Sequence, residues 1–136
     1  MLFLVLATAM VTAQATAPTV KTPDTPAGRA LTEFVESFNA GGDTRRTWLE
    51  TRTTVKEEPR ANILKMDAQL LQNFGPMAVV RMVSSSPERV LAIVRHDKSD
   101  AHGDLTIDVE PAAPHMVVNL QMRGATPEEI KGGAAK

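Results

Sequence analysis

The sequence contains no cysteine, so disulfides, thiolate metal sites and a cysteine nucleophile are all excluded. It also lacks an excess of either charge. Fifteen Lys and Arg stand against 16 Asp and Glu, for a formal net charge of -1. Both signs divide evenly about Gly75. Nothing would draw a polyphosphate backbone electrostatically, and nucleic acid is not an expected partner. No apolar run reaches the ~20 residues that a membrane-spanning helix needs. The catalytic signatures are missing as well. There is no G-x-S-x-G, none of the five serines is followed by Lys three positions later, and Gly41-Gly42 lacks the G-x-x-x-x-G-K-[ST] frame of a phosphate loop.

What remains is 136 residues with 43% apolar content, enough for one folded domain and too apolar for a disordered chain. Met1 to Ala15 reads as a secretory signal peptide: an apolar run from Leu2 to Ala13, then a small-x-small site at Ala13-Gln14-Ala15. The usual positive start is missing, which is consistent with a true start further upstream. Residues 16–24 are polar and Pro-rich and are expected to be a flexible lead-in. The folded domain is expected over 25–123, and 124–136 as a tail or linker. An exported chain without cysteine suits a bacterial envelope, so a secreted or periplasmic location is expected.

Within the domain the hydrophobic period is first 3.6 and then 2. Thr25 offers a hydroxyl N-cap, with Pro26 at the first helical position. Leu31, Phe34, Val35 and Phe38 then share one face, leaving Glu33, Glu36 and Asn39 for solvent. Gly41 and Gly42 stop this helix, and Asp43 is placed to cap the next, about Thr44 to Thr53. Val55 to Pro59 reads as a connector and Arg60 to Phe74 as a third helix, with an apolar stripe of Ile63, Leu64, Leu70, Leu71 and Phe74. Gly75-Pro76 ends it. Four strands follow, near Met77–Ser84, Val90–Arg95, Leu105–Glu110 and His115–Arg123. In the last of them Met116, Val118, Leu120 and Met122 are expected inward, and Val117, Asn119, Gln121 and Arg123 outward. Helices first and a meander after give an α+β fold, in which three helices cover one face of a four-stranded antiparallel sheet.

The segment HDKSDAHGD (His96–Asp104) collects His96, Asp97, Asp100, His102 and Asp104, residue types that ligate zinc or harder cations. It matches neither the calcium-loop template nor H-E-x-x-H, and its place between two strands predicts a solvated hairpin loop. No metal and no cofactor are expected. Trp48, the only Trp, reads as a core anchor. The methionines at 66, 77, 82, 116 and 122 suit an adaptable core or an interface.

TPAGRALTEFVESFNAGGD (Thr25–Asp43), Phe74-Gly75 before the first strand, SSSPERVLAIV, and VEPAAPHMVVNLQMR resemble a small extracytoplasmic domain of bacterial secreted hydrolases. In that family the domain precedes tail-specific peptidases or beta-lactamase-like serine hydrolases. The resemblance spans about Pro23 to Arg123. It departs at Ala-Gly-Gly-Asp, where the family has Ser-Gly-Asp, and no peptidase domain follows Arg123 in this sequence. It implies a non-catalytic accessory or binding domain, possible fragments of such a hydrolase included, with a catalytic hydrolase domain, a peptide or a small apolar ligand as partner. The order of elements also resembles the curved, cone-like nuclear-transport-factor-like fold. A ligand would then be expected where Phe38, Trp48 and Phe74 meet the sheet. Two alternatives are carried: a cone-fold isomerase or dehydratase with His96 or Asp108 as its acid/base group, and a homodimer formed through an outward face of Val79, Val83 and Val117.

Overall fold

The computed structural model describes residues 20–131. The signal segment and the first residues of the lead-in therefore lie outside the described residues, as does the end of the tail. Three helices, α1 (Pro26–Ala40), α2 (Gly42–Arg52) and α3 (Glu57–Phe74), precede four strands, β1 (Met77–Ser85), β2 (Arg89–His96), β3 (His102–Val109) and β4 (Val117–Gly124). A short α4 (Pro127–Lys131) follows. The strands pair antiparallel in the order β1-β2-β3-β4, a meander, and the helices pack on one face of it. The architecture is α+β.

Local chemistry accounts for the helix ends. Thr25 Oγ1 accepts the Gly28 N–H at 3.0 Å, and Pro26 occupies the first helical position, where a missing N–H costs nothing. At the other end Gly41 has φ 68° and Gly42 φ 53°, left-handed values that a side chain resists. The turn is so tight that α2 begins at Gly42, ahead of Asp43. Asp43 makes no capping bond; it lies in the first turn, where its charge suits the helix dipole, and pairs with Arg46. Asn39, expected in solvent, instead ties α1 to the sheet: its amide donates to the Met77 carbonyl at 2.9 Å and its oxygen accepts the Met77 N–H at 2.8 Å. α3 starts three residues earlier than the sequence suggests. Pro59 falls in its first turn, where the backbone N–H would have had no helical partner in any case.

The core is the inner face of the sheet closed by α1 and α2. Leu31, Phe34, Phe38 and Leu49 meet Val90, Ala92, Val94, Leu105 and Ile107, all nearly or fully buried. Two strands depart from simple alternation. In β4, Val109 pairs with Val117 but Asp108 pairs with Asn119, so Val118 is an extra residue, a bulge. Val117 therefore turns inward, at 1% exposure, and Val118 outward, at 49%, the reverse of the alternating expectation. Past the bulge Leu120 and Met122 regain the inner face. In β1, Val80 and Val83 are the extra residues. Val79 and Val117 are both core residues, so an outward dimerisation face built from Val79, Val83 and Val117 does not exist.

The described end of the lead-in is bound down. The Val20 N–H donates to the Val79 carbonyl at 3.1 Å, and the Thr22 and Thr32 hydroxyls lie 2.7 Å apart. Gly28 makes this possible, because a Cβ there would sit 2.0 Å from the Pro23 carbonyl oxygen. Ala is ordinarily better than Gly inside a helix by about 1 kcal/mol. Here the sign is reversed: Gly28→Ala is expected to destabilise by roughly 1–3 kcal/mol, because backbone must move. Chemical denaturation checks this, and a raised midpoint would show that Pro23 does not pack on α1.

Candidate functional site

The third helix has the apolar stripe read from sequence, yet none of its residues is fully buried. α1 lies against β1, β2 and β3, with α2 packed on α1. α3 packs against those two helices, and no strand is among its main neighbours. Beneath it Leu120 and Met122 stay only partly covered. The space left is a cavity of about 790 Å³. Ile63, Met66, Leu70 and Phe74 of α3 line one wall, and Leu120 and Met122 line another. The cavity reaches the cross-strand pair Gly103–Gly124, where the Met122 side chain packs over Gly103. Its volume falls in the range of small-molecule sites.

An ion pair between α2 and α3 borders the cavity. Arg45, on α2, is 1% exposed. Its Nε donates to Asp67 Oδ2 at 2.6 Å, and its Nη1 donates to the Phe34 carbonyl at 3.1 Å and to Ser37 Oγ at 2.9 Å. The guanidinium carbon lies 4.2 Å from the Phe34 ring centre and 5.1 Å from that of Trp48. Burial pushes the guanidinium pKa below its ordinary value, against the pull of Asp67's hydrogen bond and charge. A second pair, Arg123 with Asp104 at 2.6 Å across β3 and β4, stands on the sheet face that carries Asp108.

His96 ends β2 on the inner face and is 5% exposed. Phe38 and Phe74 flank its ring at centroid distances of 5.8 and 5.7 Å. Nδ1 lies 2.9 Å from the Gly75 carbonyl oxygen. A carbonyl only accepts, so Nδ1 carries a proton, and the Nε2 atom is the one through which a neutral imidazole accepts. His96 lines the cavity.

The structure separates the three aromatics expected in one pocket. Phe74 lines the cavity. Phe38 is sealed in the core behind His96, at 1% exposure. Trp48 sits between α1 and α2, donates from Nε1 to Glu33 at 3.2 Å, and borders a separate, shallower depression of about 510 Å³. The two acid/base candidates are also apart. Asp108 lies on the opposite face of the sheet from His96, gripped by Arg89 at 2.5 and 3.0 Å and by Asn119 at 2.8 Å. The Arg89 hydrogen bonds hold its pKa below the usual carboxylate value, against a smaller upward push from burial and with further help from Asn119. Of the segment His96–Asp104, His96 belongs to β2 and His102 and Asp104 to β3, leaving 97–101 as the turn. Among the described residues no three His, Asp or Glu side chains are grouped so as to hold a metal ion.

Arg45 and Asp67 were legible but unread. Arg45 shares a helical face with Trp48 and Leu49, at i+3 and i+4. Asp67 stands mid-stripe between Ile63 and Leu70, Leu71 and Phe74. One charge in each of two apolar stripes is the mark of a buried pair. Comparison of the chain with protein-family models, with curated proteins and with solved structures finds no significant match in any of the three.

Removing one partner of the buried pair should cost far more than removing both. Asp67→Ala is expected to destabilise by roughly 3–5 kcal/mol, and Arg45→Met with Asp67→Leu by much less. Denaturant titration of both variants checks this, and equal losses would refute the uncompensated-charge account. Asp108 gives a pH prediction. Its folded pKa is depressed, so its stabilisation is present above the unfolded value of about 3.9 and is lost as pH falls through the lower folded value. Wild type should therefore lose stability below about pH 4 more steeply than Asp108→Asn. Coincident acid limbs would mean the Arg89 pairing adds nothing.

Proposed function

We propose that this chain is a non-catalytic binding domain that takes a small, largely apolar ligand in the cavity under α3. The observation that supports this is α3 itself, a helix with an apolar stripe that covers the sheet without filling the space beneath it. Exposed apolar lining of that kind is costly unless something occupies it. The absence of a nucleophile motif and the separation of His96 from Asp108 favour binding over catalysis. The signal-like Met1–Ala15 segment and the resemblance of Thr25–Asp43 to accessory domains of secreted hydrolases extend the reading. On that basis the domain serves an exported bacterial serine hydrolase or peptidase system, with a nuclear-transport-factor-like architecture, in the periplasm or outside the cell. None of the described helices is long and apolar enough to cross a membrane.

The test uses the uncharged fluorescent probe N-phenyl-1-naphthylamine. Wild type is expected to bind it saturably, one to one, with enhanced emission. Leu120→Trp, which places a bulky ring in the cavity, is expected to abolish binding while keeping the wild-type circular dichroism spectrum. Equal binding by the folded variant would place the site elsewhere.

A further inference from the structure

Resting on the cavity reading above, we infer that His96 Nε2 is the recognition atom of the site, and that the ligand is an uncharged, mainly apolar molecule bearing a hydroxyl group, whose O–H it accepts. Three observations lead there. First, the ring cannot turn freely: Phe38 and Phe74 flank it, and Nδ1–H is committed to the Gly75 carbonyl at 2.9 Å. That carbonyl is itself fixed. Gly75 closes α3 with φ 83°, its N–H donates to the Leu71 carbonyl, and Lys98 packs against its α-carbon. Second, the ring is 95% buried, yet Nε2 has no hydrogen-bond partner among the described residues, and the residue lines the cavity. A lone pair that a bound ligand shuts off from water and leaves without a donor is a cost that a ligand hydroxyl removes. Third, the charged groups of the helical wall answer each other, Arg45 with Asp67, so a ligand with net charge gains little there. Ile63, Leu70, Phe74 and Leu120 supply apolar lining around them.

This goes beyond filling space. An apolar wall alone discriminates weakly between an alcohol and its ether, whereas an acceptor that binding would bury without a donor discriminates strongly. The probe pair is 4-butylphenol and 4-butylanisole, which differ by replacement of O–H with O–CH₃. Titration calorimetry is expected to show the phenol binding roughly tenfold or more tightly than the ether. Long-range ¹H–¹⁵N spectra of the wild-type imidazole are expected to show the His96 Nε2 resonance moving with the phenol and staying still with the ether. In His96→Phe the preference should vanish while the ether binds as before. Should that variant not fold, the wild-type spectra decide the matter alone. Equal affinities with no Nε2 shift would overturn the role of His96 and leave the cavity reading standing. Binding of neither compound, together with failure of N-phenyl-1-naphthylamine to bind, would overturn both.

Discussion

A single buried cation organises the helical layer. Arg45 reaches from α2 to the Phe34 carbonyl and Ser37 of α1 and to Asp67 of α3, so three helices share one guanidinium. The aromatic rings of Phe34 and Trp48 enclose it. Such a pair gains little net stability, because both ions give up water. What it contributes is position: a planar fork bonds in fixed directions, and apolar contacts do not. α3 needs that constraint most, since it has no fully buried residue of its own to hold it.

The cavity follows from the same constraint. A helix held by a directional bond at its middle need not settle onto the sheet until all space is filled. Its C-terminal end is fixed independently at Gly75. There the Lys98 N–H donates to the Phe74 carbonyl and the Asp97 N–H to the Pro76 carbonyl, locking the β2–β3 turn against the end of α3. His96 sits at that junction and takes its orientation from it. Thus α3 is anchored at Asp67 and at Gly75, and Arg45 and His96 are among the groups that bound the space beneath it. On the opposite face of the sheet Arg89 and Asn119 hold the Asp108 carboxylate.

Much of this was readable in the chain, and the exceptions have physical causes. Thr25-Pro26 and Gly41-Gly42 announce their helix ends because capping and positive φ are properties of single residues. The register of β4 was misread at Val117 and Val118 because both are valines, and a bulge moves either one inward at equal local cost. Asn39 was read as solvent-facing because an amide on the polar side of a helix gives no local sign that strand backbone will arrive 38 residues later. Pro59 was taken as a break, although a first-turn position tolerates it. The separation of Phe38, Trp48 and Phe74 could not be seen either, since three aromatics on three helices share a pocket only if the helix packing brings them together.

The sequence by itself determined the elements, their order, the α+β layering and most of the core, because period, caps and breakers act over a few residues. Even the pairing of Arg45 with Asp67 was implicit in two interrupted apolar stripes. Only the tertiary structure decided how far α3 stands from the sheet, which side of the sheet His96 and Asp108 each occupy, and which nitrogen of His96 is committed to the Gly75 carbonyl. Those depend on distances between segments far apart in the chain, set by packing and by bonds such as Gly75 to His96, which no local pattern encodes.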